Sequence, residues 1–339
     1  MATILRGYGW ECGQTMFSSG MSSRTTVTTS YKKTGTYSLG LGDLYGEGYF
    51  DVKLDSSLSR VSISAWIYLR DTYNHTDYTN RRTGFQFYTE SGEYIYFRWN
   101  GTTHTFDLLL NSATVITEPG TITITENTWF HVQIDLLIDT VGTAQVKLNG
   151  HLSLNYSGDT QPGTSNLCSS IRTSFGAGGV YDTDYMDDFV IGTNGFLGDL
   201  RCPDIRPTAD TAQDDWTPSA GDNYSTVDEI STTPATIDAD YNKAGLDGDA
   251  DELALGDFDG ATYVPVAVTA WCRAQQLAAN GDSIKIGIDS GGTDDVTEWP
   301  LSNTMEYYFH TADQNPADAA EWEDADIDAL LVRYEAVIV

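Results

Sequence analysis

The chain has 339 residues, 40% of them hydrophobic and 12% aromatic, with 49 acidic against 18 basic side chains and a net charge of −31 at pH 7. That length suits two ordinary domains, and that apolar content can fill their cores, which excludes bulk disorder. The acidic surplus excludes binding to nucleic acid or to an anionic membrane surface, and no apolar run reaches the roughly 20 residues of a bilayer span. Residues Met1 to Trp10 show no charged segment followed by an apolar core, so no secretory signal is expected.

Along the chain, hydrophobicity repeats with period two and not 3.6. Val61-Ser62-Ile63-Ser64-Ala65-Trp66-Ile67 alternates, and Thr121-Ile122-Thr123-Ile124-Thr125 does so strictly. Asn149-Gly150, set between Val146-Lys147-Leu148 and Leu152-Ser153-Leu154, predicts a hairpin turn. The periodicity then fades. The stretch 207–252 is rich in Asp, Thr, Ser, Pro and Gly, and predicts long acidic loops at the start of a second domain. Alternation returns at Val264, Val266, Val268, Ala270 and Cys272, and again over Ile284-Lys285-Ile286-Gly287-Ile288. Asn315 as N-cap, Pro316 at the first helical position and Asp318 in the first turn predict a single helix running to about Leu330. It feeds a last strand, Val332 to Val339. The expected fold is all-β: two antiparallel β-sandwich (jelly-roll) domains, 1–200 and 201–339, with one short helix near the C-terminus.

The charge is uneven in kind and in place. Asp outnumbers Glu 36 to 13, and Lys number 6. Residues 1–200 hold 20 acids and 12 bases, whereas 201–339 hold 29 acids and 6 bases. Self-repulsion of this size opposes a compact state in dilute salt. At about 1 M salt the screening length is roughly 3 Å and most of the repulsion disappears, which implies selection in concentrated salt.

Cys12, Cys168, Cys202 and Cys272 form no C-x-x-C pair, which argues against a zinc knuckle or a thioredoxin-type site. Cys272 reads as a buried thiol; a Cys168–Cys202 bridge stays open. Glycosidase chemistry needs two carboxylates on one face, and adjacent Asp187-Asp188 would point to opposite faces of a strand, so catalysis is not expected. His131 reads as a core histidine. The segment 71–82 joins aromatic rings to amides and carboxylates, the composition of a glycan site: Asp71, Tyr73, Asn74, Asp77, Tyr78, Asn80 and Arg81. It reads equally as a solvated loop or a subunit contact. Asp247, Asp249 and Asp251 alternate around Gly248 as a candidate calcium cluster, against the bland reading of chance in an Asp-rich chain.

The first part resembles the laminin G-like, concanavalin A-like sandwich family. The matching pieces are Ser64-Ala65-Trp66-Ile67-Tyr68, Trp129-Phe130-His131-Val132, Leu148-Asn149-Gly150 and Met186-Asp187-Asp188-Phe189. Rim calcium is common in that family, which makes Asp182, Asp184, Asp187 and Asp188 a second candidate cluster; otherwise no cofactor is expected. The later part, with Phe196-Leu197-Gly198-Asp199, Arg206-Pro207-Thr208-Ala209-Asp210, Asp215-Trp216-Thr217-Pro218 and Ala319-Ala320-Glu321-Trp322, is similar to virion structural proteins of tailed viruses. That resemblance implies a virion component, and with the acidic composition a tailed virus of a halophilic host: a non-enzymatic protein of the particle exterior, assembled in the host cytoplasm and acting in particle architecture as a tail-fibre, baseplate or vertex protein. It would contact other virion proteins, form a homo-oligomer (trimer or pentamer), and adhere to host surface glycan. A capsid decoration or turret protein is the alternative, and a glycan-active enzyme of concanavalin A-like fold a second.

Overall fold

In the computed structural model the chain divides into two units, Met1–Cys202 and Pro203–Val339. The structure describes all residues except 1–2, 11–19, 23, 43–47, 71–83, 101–104, 112, 118–123, 126, 176–182, 228–239, 259, 261, 263 and 279.

The first unit contains β1 (Thr3–Tyr8), β2 (Gly20–Met21), β3 (Thr25–Thr28), β4 (Ser38–Leu41), β5 (Gly48–Leu58), β6 (Arg60–Tyr68), β7 (Gly84–Thr89) and β8 (Tyr94–Asn100). It continues with β9 (Thr105–Leu110), β10 (Ala113–Thr117), β11 (Trp129–Leu137), β12 (Gly142–Leu148), β13 (His151–Gly158), β14 (Cys168–Phe175) and β15 (Asp184–Thr193). These strands build two antiparallel sheets. One has eight strands in the order β13-β12-β11-β6-β15-β4-β3, with β1 also on β15. The other has seven, in the order β10-β9-β8-β7-β14-β5-β2.

Period two explains the sandwich. Phe50 and Val52, Phe85 and Phe87, Ile95 and Phe97 project from one side of the seven-stranded sheet, and all are sealed from solvent. They meet Ile63, Ile67, Val132 and Ile134 of the other sheet in one core. Burying a side chain of this kind stabilises the unit by about 1.5–3 kcal/mol. The Asn149-Gly150 turn forms as expected: both residues are left-handed, at φ 48° and 82°, and β12 and β13 pair Leu148 with His151 across it.

The second unit contains β16 (Pro207–Asp214), β17 (Thr217–Pro218), β18 (Asn242–Lys243), β19 (Ala250–Leu255), β20 (Val268–Ala274), β21 (Ser283–Ser290), β22 (Thr293–Pro300), β23 (Glu306–Ala312), the helix α1 (Asp324–Asp328) and β24 (Leu331–Val337). Its main sheet runs β16-β19-β24-β21-β22, beside the pairs β17-β18 and β20-β23. Ile284, Ile286 and Ile288 share a core with Ala270, Tyr308 and Ala312 of the β20-β23 pair and with Trp322, Ile327 and Leu330.

Among the described residues the chain is thus all-β, in antiparallel sheets, with one short α-helix near the C-terminus. Local expectations fail in four places. The stretch 207–252 is not loop throughout: Pro207 to Asp214 form an edge strand, whose weak alternation reflects pairing on one side only, with β19. Helix α1 covers five residues, capped by a reciprocal Glu323–Asp326 box, and not the span from Pro316. There Asn315 Oδ1 accepts from the Ala317 amide in a tight turn, and Ala319 is left-handed at φ 59°, which no helix continues through. The strand expected from Val264 begins at Val268; Val264 is 83% exposed. Of the Thr121–Thr125 repeat, Ile124 and Thr125 lie outside any strand, and residues 121–123 lie outside the described residues.

Candidate functional site

Whatever alternates inward on the seven-stranded sheet leaves its neighbours facing out. The register places those neighbours in three rows across the strands. One row runs Lys53, Ser170, Tyr88, Tyr94; the next runs Asp51, Arg172, Gln86, Tyr96; the third runs Tyr49, Ser174, Gly84, Arg98, Asp107. Most strands hide small or apolar residues; this face carries tyrosines, arginines, an amide and hydroxyls.

Arg172 stands at the centre. Its Nε and Nη2 donate to the two oxygens of Asp51 at 2.6 and 2.7 Å, and these bonds hold its pKa above the usual guanidinium value. Its guanidinium also lies over the ring of Tyr49 at 4.4 Å and near that of Tyr88 at 5.6 Å. Beside it, the Tyr88 hydroxyl donates to Gln86 Oε1 at 2.8 Å, and the Tyr88 and Tyr94 rings pack at 5.6 Å. Arg98 donates to Asp107 at 2.7 Å, an acid 1% exposed. Gln86 and Tyr96 are buried at the middle of the face, while Tyr49, Tyr88, Tyr94, Arg98 and Arg172 are half-buried. Gly84 permits close approach: a Cβ there would meet the Phe97 carbonyl at 2.0 Å. Chemically the face offers ring surfaces for stacking and a set of pre-held donors and acceptors.

The residues singled out in the sequence lie elsewhere. Asp71, Tyr73, Asn74, Asp77, Tyr78, Asn80 and Arg81 lie outside the described residues, as does Asp182. Asp184 accepts from the Arg70 amide at 3.1 Å. Asp187 and Asp188 do not point to opposite faces. A bulge in β15, with Asp188 at φ 47°, turns both carboxylates towards the same loop. Asp187 accepts from the amides of Lys33, Thr34 and Asp188, and Asp188 from the Thr34 hydroxyl, the Cys202 amide and Arg201. Both are shut off from solvent, and burial, with Asp188's charge second, pushes the Asp187 carboxyl up to about 8. Six donors on two carboxylates describe a structural clip and not a calcium cage.

The other calcium cluster disperses too. Asp247 accepts from the Ile338 amide and Asp249 from the amides of Gly245 and Leu246. Asp251, fully buried, accepts from the amides of Asp215 and Trp216, from Asn223 and from the Tyr334 hydroxyl. Among the described residues the carboxylates that do converge are Glu252, Asp289 and Asp294, and Arg333 already sits on two of them. His131 is buried against the Ser64 hydroxyl at 2.7 Å, and burial lowers its pKa to about 4, so it is a neutral core group. Cys168 and Cys202 are free thiols, so no bridge joins them.

The sequence reading missed the three rows. A signal for them existed in Gly84-Phe85-Gln86-Phe87-Tyr88 and Tyr94-Ile95-Tyr96-Phe97-Arg98, where the outward set is aromatic and polar.

No family model and no curated protein matches the chain. Solved structures do. The cellulose-induced protein Cip1 is 18% identical at TM-score 0.40, covering 55% of this chain and 90% of its own. The endo-β-1,4-glucuronan lyase of Trichoderma reesei is 10% identical at 0.42, covering 57% and 96%. Domain 4 of the arabinanase AbnA from Geobacillus stearothermophilus, solved with arabinotriose, is 16% identical at 0.38, covering 58% and 94%. The expectation of a virion surface protein is corrected: the neighbours are named as a cellulose-induced protein, a glucuronan lyase and an arabinanase domain, and their likeness to this chain extends to fold alone.

Proposed function

We propose that this chain binds polysaccharide, and that the outer face of the seven-stranded sheet holds the glycan. The observation that carries the reading is Arg172 set between the rings of Tyr49 and Tyr88 with the Gln86 amide beside it. A sugar ring has an apolar C–H face and a rim of hydroxyls. Tyrosine combines ring surface with a hydrogen-bonding tip, and guanidinium and amide groups serve the rim. The rows run across strands about 4.8 Å apart, so that each lays several side chains side by side along one line. The reading rests on this face and not on the neighbours, whose likeness extends to fold alone.

Affinity electrophoresis or calorimetry of the full chain against a polysaccharide panel tests it. Tyr88→Ala and Gln86→Ala should each weaken the bound glycan about tenfold, or about 1.4 kcal/mol, with the melting transition retained. Wild-type affinity in both variants would refute the assignment of the face. Release of oligosaccharides by the wild type would replace binding with turnover.

A further inference from the structure

We infer that the glycan held on this face is uncharged, a neutral polysaccharide and not a polyuronate or sulfated chain. The inference depends on the face being the glycan site and adds the class of ligand to it.

Most cations of the face are already engaged. Among the described residues the face carries three: Lys53, Arg98 and Arg172. Arg172 gives two donors of its planar fork to both oxygens of Asp51, at 2.6 and 2.7 Å. Such bidentate pairs are the strong, geometrically selective kind. A ligand carboxylate would find the charge of Arg172 already neutralised by Asp51, and at the remaining N–H groups it would lie close to the Asp51 carboxylate. Arg98 is met by Asp107 at 2.7 Å, and that acid is 1% exposed, so it has no route to water if displaced. What remains is Lys53, exposed at one end of a row.

Beyond the ion pairs the face is neutral and polar. Tyr88 and Ser170, both half-buried, present neutral donors and acceptors, which match hydroxyls better than carboxylates, with the buried Gln86 holding the Tyr88 hydroxyl from behind. The protein's own field also opposes a polyanion. The chain is net −31, and residues 1–200, with 20 acids against 12 bases, share that sign. A polyanion therefore approaches against the protein's own charge, which salt screens beyond about 10 Å at 0.1 M.

The test is a selectivity measurement on the full chain. Neutral glycans (β-glucans, xylan, mannan, arabinan) are set against alginate, polygalacturonate and glucuronan, each in dilute and in molar salt. A neutral glycan should bind with an affinity that salt barely changes, and the polyuronates at least tenfold more weakly. Asp51→Asn removes the charge that occupies Arg172 and should raise polyuronate affinity about tenfold in dilute salt. Tighter polyuronate binding by the wild type, falling as salt rises, would overturn the inference while leaving the glycan site standing. An Asp51→Asn protein that keeps its melting transition yet gains no polyuronate affinity would overturn it as well. Binding of neither class would sink the glycan reading itself.

Discussion

Asn149 offers a test in which two substitutions separate two physical causes. Its backbone is left-handed at φ 48°, its Oδ1 accepts from the His131 amide at 2.8 Å, and its own amide donates to the His131 carbonyl at 2.8 Å. Alanine removes the side-chain acceptor and leaves the buried His131 amide without it, at about 1–2 kcal/mol. Both residues carry a Cβ in the left-handed region, but only asparagine offsets it with a local hydrogen bond from its short amide, so alanine costs about 1 kcal/mol more. Asn149→Ala should therefore cost about 2–3 kcal/mol. Asn149→Gly loses the same acceptor but meets no steric penalty, and should cost about 1–2 kcal/mol. For a unit of this size each kcal/mol moves the midpoint by about 2–4 °C. Calorimetry would resolve the two variants by several degrees. An alanine variant within about 0.5 kcal/mol of wild type, or a glycine variant less stable than the alanine one, would refute the reasoning.

Three other outcomes follow from named residues. Burial raises the Asp187 carboxyl to about 8 in the folded unit, from 3.8 when exposed, so protonation favours the fold. The contribution of Asp187 to stability should be full below about pH 4 and be lost as pH rises through 8, and the difference in melting temperature between wild type and Asp187→Asn over that range should follow it. Ile286→Ala opens the core of the second unit at a residue with no exposed surface, between β24 and β22, and should cost about 2–5 kcal/mol by denaturant titration. Raising NaCl from dilute to molar should raise the melting temperature, most in the second unit, where 29 acids face 6 bases over 201–339; a flat series would remove the argument for adaptation to salt.

The alternation of apolar residues was enough to determine that this chain forms antiparallel strands, and Asn149-Gly150 enough to place a hairpin, because both are local: period two follows from the pleat, and the turn from which residues tolerate positive φ. What the alternation leaves open is which face of a strand another sheet will cover. Phe85 and Tyr88 carry similar apolar area, and only the stacking of the two sheets buries the first and turns the second outward. The same holds for Asp187 and Asp188, which simple alternation separates and a single bulged residue brings onto one loop. Edge strand β16 was illegible because a strand paired on one side has little apolar patterning to show. The candidate face is assembled from β5, β14, β7 and β8, joined in an order unlike that of the chain. Arg172 and Asp51, 121 residues apart, become partners only when that sheet closes.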